Sequence, residues 1–328
     1  RGEVLNNSTK YIILISIFIS TIFSLTINVG SGSNDDYSTI QGAIDAAVDG
    51  DVVSVSPGTY TENLIIESDI MLISQDGAAS TSIVGTDGAA GSMGSAITVR
   101  PGSGSAVVPQ NIEIDGFMIT GGSGNIMTTD VDTPDGPVQV SERRGGGIMA
   151  FNVPVRIRNN NITGNGNSTT ANGGGVSLVS SAEDWSFDNR NWEYNSNLSP
   201  VDADLDLSSN TFAGNSAVSG HSIDIEGFEN NTIDLTNSQL DCYSSQYQST
   251  TEYWVNASED ATIDYEGSSG VEPMYGDVWV DPENGTDEWT TTGSTADPYK
   301  TINFTLGMIY PTESNPITIH LVAGRYSP

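Results

Sequence analysis

Residues 145–179 read GGGIMAFNVPVRIRNNNITGNGNSTTANGGGVSLV, and residues 205–226 read LDLSSNTFAGNSAVSGHSIDIE. Two phrases alternate through Gly145 to Leu235. One is Gly-Gly-Gly followed by apolar-x-apolar, at Gly145-Gly146-Gly147-Ile148 and Gly173-Gly174-Gly175-Val176, with a weaker copy at Gly220-His221-Ser222-Ile223. The other is apolar-x-apolar, Asn, apolar, Gly-Asn. It appears as Val155, Ile157, Asn160, Ile162, Gly164-Asn165 and again as Leu205, Leu207, Asn210, Phe212, Gly214-Asn215. Short segments with a period of two are strands rather than helices. Repeats at intervals of tens of residues predict a solenoid, in which each coil buries its apolar face on its neighbours. Asn at one corner of successive coils predicts a hydrogen-bonded ladder, and both Asn and Gly tolerate the left-handed backbone of a tight corner.

On these residues the chain resembles the right-handed parallel β-helix proteins. The Gly-Gly-Gly-apolar and Asn-x-Phe-x-Gly-Asn-Ser-Ala phrases are similar to repeats of secreted bacterial β-helix proteins and polymorphic outer-membrane adhesins. The likeness spans roughly Thr26 to Leu235 and returns at the C-terminal edge. It implies an all-β, right-handed, single-stranded parallel β-helix with a short N-terminal cap helix. Its superfamily also holds pectate lyases, polygalacturonases, pectin methylesterases and phage tailspikes, so the fold alone assigns no activity.

Composition bounds the partners. The chain has 328 residues, a formal charge of −32 and 10 Lys plus Arg, with lysine only at Lys10 and Lys300. Such a surface repels nucleic acid and anionic lipid. It suits high salt or divalent cations. One cysteine, Cys242, allows no intrachain disulfide. Asn-x-Ser/Thr triplets are read as by-products of Asn corners.

In chain order, Tyr11–Leu25 (YIILISIFISTIFSL) is an apolar run of about 15 residues, short for a membrane span and matched to the apolar core of a secretory signal. Residues 1–25 are therefore expected to be a signal peptide. The mature chain is expected outside the cell or on its surface, with no membrane insertion. Residues 26–266 are expected to form the β-helix. Its cap covers 26–60, with a helix within Tyr37–Val48 because Ile40, Ile44 and Ala47 share one face. The pattern T-I-Q-x-A-I with G-x-Y-x-E resembles the cap of pectin methylesterases, and Gln41 and Glu62 are read as structural. A second module, 277–328, repeats the order Thr-Ile, helix, apolar strand, Gly-x-Tyr. The remainder of a longer tandem β-helix chain is expected to follow it.

Three places carry candidate chemistry. Gly121–Arg144 is read as a loop in which Asp130, Asp132 and Asp135 would ligate Ca²⁺, without the closing Glu of an EF-hand. The insertion 181–204 holds Trp185, Trp192 and Tyr194 beside Asp184 and Asp188. Flat aromatics flanked by carboxylates suit a polysaccharide or cell-surface glycan, and a satellite cluster packed on the β-helix is the alternative. Arg156, Arg158 and His221 are the catalytic candidates. Each enzyme pattern that the resemblance offers is partial. A lyase needs a carboxylate-bound Ca²⁺ beside the Arg base, a polygalacturonase needs Gly-His-Gly where this chain has Gly220-His221-Ser222, and Gln75-Asp76 alone stands for the methylesterase context. No cofactor is required on this reading. The expectation is a non-catalytic adhesion or carbohydrate-binding protein. The alternatives are a lyase or hydrolase acting on acidic glycans and a structural stalk.

Overall fold

A computed structural model describes residues 24–87, 93–133, 136–181, 186–187, 192, 201–228, 231–240, 255–256, 262–264, 266, 276–287, 291–309 and 316–326. Of the expected signal peptide, 1–25, residues 1–23 lie outside the described residues. No helix among those described is long and apolar enough to cross a membrane.

The chain is an all-β parallel β-helix whose coils each contribute one strand to three walls. The first wall stacks Thr26–Val29, Val52–Val55, Met71–Ser74, Ile112–Asp115 and Val155–Arg158. The second stacks Gly58–Thr61, Thr81–Val84, Met118–Thr120, Asn161–Thr163 and Thr211–Ala213, and the third runs from Leu64–Ile66 through Ile97–Val99, Ile148–Phe151 and Val176–Val179 to Ile223–Glu226 and Val255–Asn256. Register is locked by the apolar pattern. Ile97, Ile148, Val176 and Ile223 face one another rung by rung, as do Val99, Ala150, Leu178 and Ile225, all at most 2% exposed. A one-residue slip would turn each of these side chains outward.

Two buried amide ladders hold the corners. Asn160 Oδ1 accepts from Phe117 N at 2.9 Å, and Asn210 Oδ1 accepts from Asn160 N at 2.9 Å. The next rung is Ser238, whose hydroxyl accepts from Asn210 N at 3.1 Å. A parallel ladder runs from Gly122 N to Asn165 Oδ1 and from Asn165 N to Asn215 Oδ1, at 3.2 and 3.1 Å. The left-handed residue of the first corner is not the ladder Asn but the one before it: Gly116, Asn159, Ser209 and Asn237 have φ of 82°, 56°, 59° and 56°. Backbone reversal and amide pairing are thus divided between adjacent positions. At the triple-glycine corner the need is closeness, since a Cβ on Gly146 would stand 2.2 Å from the carbonyl of Gly174.

Helix α1, Ile40–Ala46, closes one end and buries Ile40, Ala43 and Ile44. Thr39 caps it, and both oxygens of Glu62 accept its first amides, Ile40 N and Gln41 N, at 2.9 and 3.0 Å. The side chain of Gln41 accepts from Ile65 N and donates to Ile65 O, at 2.8 and 3.1 Å. Its amide stands in for a missing neighbour on the edge strand Leu64–Ile66, which answers the exposed-edge problem of any solenoid end.

Loop expectations for Gly121–Arg144 are corrected. Asn125–Thr133 and Gly136–Arg144 form an antiparallel hairpin in full register from Asn125↔Arg144 to Thr133↔Gly136. The polar, Pro- and Gly-containing composition marked the tip and hid the alternation on both sides of it. Further along, Val278–Val280 pairs in parallel with Ile319–Leu321, and helix α2, Ile302–Met308, packs Phe304 and Met308 with Val278 and Tyr299.

Asn210 carries the ladder in both directions, its Nδ2 donating to Ile157 O and Leu207 O at 2.6 Å each. Asn210→Ala orphans Ile157 O and Asn160 N, while Leu207 O keeps the Ser238 hydroxyl at 2.9 Å, and should cost about 2–3 kcal/mol. Asn159→Gly, on an exposed left-handed residue, should leave stability within about 0.5 kcal/mol. Thermal melts of both variants check the contrast.

Candidate functional site

On the outer face of the first wall, Arg156 and Arg158 close over one carboxylate. Glu113 is 7% exposed and lies opposite Arg156 in register. Arg158 Nη2 donates to Glu113 Oε1, while Arg156 Nε stands 3.3 Å from Glu113 Oε2 without hydrogen-bond alignment. Asp206 Oδ2 approaches Arg158 Nε at 3.7 Å. The Glu113 hydrogen bond, together with the nearby charges of Glu113, Asp206 and Asp115, raises the Arg158 pKa above its ordinary value against the opposing effect of burial. A general base needs the opposite shift. The neighbouring cleft of 270 Å³ is lined by Asp49, Asp51, Asp69, Met71 and Arg156. Its carboxylates accept backbone amides: Asp69 takes Gln110 and Asn111, Asp49 takes Asp69, and Asp51 takes Leu25 and Val48.

The outer face of the third wall is covered, which the sequence did not reveal. Met149, Phe151 and Val179 point away from the main core yet are at most 1% exposed, packed with Met93, Met127 and Trp192. The hairpin and the insertion share this cover, for Ser186–Phe187 adds antiparallel to Met127–Thr128. Trp192 is therefore corrected as a sugar platform. Its ring is 5% exposed, donates Nε1–H to Pro101 O at 2.9 Å, meets Phe151 edge-on at 6.0 Å and lies 5.0 Å beneath the Arg100 guanidinium. Trp185, Tyr194, Asp184 and Asp188 lie outside the described residues.

Arg144, at the foot of the hairpin, is the cation that sequence reasoning missed. It is 6% exposed and reaches Glu226 at 2.5 Å, Glu142 at 2.8 Å and Asp224 at 3.5 Å. Burial works against its charge, but Asp224, Glu226 and Glu142 outweigh it and hold the pKa above the usual value. Asp224 is also joined to Ser177 Oγ at 3.1 Å. The alternation Ile223-Asp224-Ile225 does mark Asp224 as outward; nothing local to it says that a hairpin 80 residues earlier supplies its counter-ion.

His221 occupies the third copy of the glycine corner, half-buried, with Nδ1 3.2 Å from Asn215 O. Burial lowers its pKa below the ordinary imidazole value, with the Asn215 contact opposing. Asp130 is exposed on the hairpin opposite Gln139, and the side chains of Asp132 and Asp135 lie outside the described residues. Among the described residues no three His, Cys, Asp or Glu stand close enough to share an ion. Asp204 and Asp206 cap the backbone at Thr232 and Ser208.

No family model matches the chain, and no curated protein matches its sequence. In structure it is similar to the pectin methylesterase from Aspergillus niger in deglycosylated form. The TM-score is 0.33 and the identity 14%, over 77% of this chain and 86% of that one. The β-helix assignment rests on the parallel ladders themselves.

Removing one partner of a buried ion pair leaves the other charge stranded. Arg144→Met should cost about 3–5 kcal/mol, with part recovered in the double variant Arg144→Met/Asp224→Asn. Denaturation midpoints of the two single variants and the double variant decide this. His221 adds a pH term with a definite sign. Above the unfolded imidazole pKa both states are neutral and stability is full. As pH falls through that value the unfolded chain takes the proton first, so stability drops. Between pH 7.5 and 5.0, melting temperature should fall more for the parent than for His221→Asn.

Proposed function

We propose that the chain is a non-catalytic β-helix that acts outside the cell or at its surface, where its second wall contacts neutral glycan. The observation that carries the reading is the outer face of that wall. Thr59, Thr61, Ser82, Thr120, Asn161, Thr163 and Thr211 line it, half-buried or exposed, on strands in continuous parallel register. Val84, Met118 and Ala213 share this face, which is therefore an uncharged surface of hydroxyl and amide groups with apolar side chains between them. Sugar hydroxyls are matched by such groups, and a preformed sheet holds them in place at little entropic cost.

Two further points support binding over catalysis. Arg156 and Arg158 are held on Glu113, and the pKa of Arg158 is moved away from base chemistry. With a charge of −32, neutral chains are better matched to the surface than acidic ones. Ca²⁺ held around Asp130, Asp132 and Asp135 belongs to the same proposal as an accessory at the hairpin tip.

The test mixes the full chain with neutral and acidic polysaccharides, with and without Ca²⁺. It follows both retention and the release of unsaturated or reducing ends. Retention on a neutral polysaccharide without release is expected. It should weaken about tenfold, roughly 1.4 kcal/mol, on Thr211→Arg and persist in Arg158→Ala. Ends released by the parent and lost in Arg158→Ala would establish the lyase alternative instead.

A further inference from the structure

The outward side chains of the third wall are buried from Thr98 to Asp224, each 1% exposed. Helix α1 lies beyond the end of that cover. Where the helix meets the strand Leu64–Ile66 there is a cleft of 520 Å³, a volume in the range of small-molecule sites. Its floor is aliphatic. Ile44 and Ala47 come from the helix and its C-terminal cap, and Ile65 comes from the outward side of the strand, in register with Thr98. Gln41 and Asn63 also line it, and both are committed to the frame. Gln41 is clamped on the backbone of Ile65, and Asn63 bonds to Thr86 and to Ser95 O.

The charges in the cleft do not cancel. Asp45 and Glu67 bring two carboxylates, and Arg100 brings one guanidinium. Arg100 is 5% exposed. Its Nε donates to Glu67 Oε1 at 2.8 Å, and its guanidinium lies 5.0 Å from the centre of the Trp192 ring. One negative charge is left over, and it falls to Asp45. That residue stands in the last turn of α1, where the helix carbonyls already make the potential negative and a carboxylate is disfavoured. No basic residue accompanies it in that turn. Asp45 Oδ1 accepts from Gln41 Nε2 at 2.7 Å. Among the described residues, Asp45 Oδ2 and Glu67 Oε2 accept no hydrogen bond. The Ser68 hydroxyl lines the same cleft.

We propose that this cleft binds a small organic cation, a primary ammonium carried on an aliphatic stem. The stem would lie on Ile44, Ala47 and Ile65, as the stem of a lysine lies along an apolar surface. The ammonium carries three donors and no acceptor, and the free oxygens of Asp45 and Glu67 and the Ser68 hydroxyl are acceptors for it. One uncompensated carboxylate matches one positive charge. A divalent metal ion fits less well, because no three His, Cys, Asp or Glu stand together among the described residues and the floor offers it no oxygen.

The experiment titrates the full chain with hexylammonium chloride, by calorimetry and by amide chemical shifts. The solution holds about 0.15 M NaCl, which screens diffuse attraction to the acidic surface. Saturable binding at one site is expected, with shifts at Gln41, Asp45, Ile65 and Ser68. Hexanol and hexanoate should each bind at least about tenfold more weakly, the worth of one charge-assisted hydrogen bond. Asp45→Asn, which keeps an acceptor for Gln41, should weaken hexylammonium about tenfold. Asp76→Asn, at an exposed acid outside the cleft, should leave it unchanged. Nα-acetyllysine methylamide separates the two sources of such a cation. Binding equal to hexylammonium assigns the cleft to a lysine side chain of another protein, and weaker binding assigns it to a free amine. Equal binding of hexanol, or equal weakening by Asp45→Asn and Asp76→Asn, would overturn the proposal. So would shifts confined to residues outside the cleft.

Discussion

A buried carboxamide that serves the coil above and the coil below is the interaction on which the rest of this molecule depends. Turning a chain three times per coil leaves corner amides and carbonyls that no strand ladder can reach. Buried without partners, each would cost about 1–3 kcal/mol. Asn160 and Asn210 at one corner, and Asn165 and Asn215 at another, satisfy them by reaching across rungs. Because each side chain bonds to neighbouring coils, the ladder also fixes the vertical register. The apolar rows inside then need only be hydrophobic and of suitable size.

Electrostatics follows from what that frame leaves outside. The described arginines on the walls are spent on the protein itself: Arg100 on Glu67, Arg144 on Glu142, Asp224 and Glu226, and Arg156 and Arg158 on Glu113. They brace places where strands or insertions must lie against a wall. Other described acidic groups cap backbone amides, as Asp51, Asp69 and Asp204 do. The uncharged second wall stands apart in an otherwise acidic molecule.

The parts of this architecture that recur along the chain are legible in its sequence. Period-two apolar pairs, the Asn corners and the cap helix each leave a local, repeated mark, and Gln41 and Glu62 fall where the cap pattern puts them. What escapes is singular. The hairpin at Asn125–Arg144 occurs once, and its strands carry polar residues that read as loop. Trp192 resembles a sugar platform because its own neighbours are polar; its true partners, Phe151, Arg100 and Pro101, lie 41 to 92 residues earlier. Arg144 and Asp224 are 80 residues apart. Non-local pairings used once leave no period to detect.

Between the first and second walls the corner spans six residues after Met71–Ser74, but from Ile112–Asp115 onward it has a constant length. Gly116-Phe117, Asn159-Asn160, Ser209-Asn210 and Asn237-Ser238 each turn it with one left-handed residue and one ladder residue. Both insertions leave from other corners, the hairpin after Met118–Thr120 and residues 181–204 after Val176–Val179. A gene encoding this chain can therefore gain or lose codons at those two corners without altering the pitch of the solenoid. A single codon added between Arg158 and Asn161 would throw the amide rung out of line with the coils on either side. In the coils that carry the amide rungs, diversification is thus steered to the third wall and its flanks, while the corner opposite stays fixed in length.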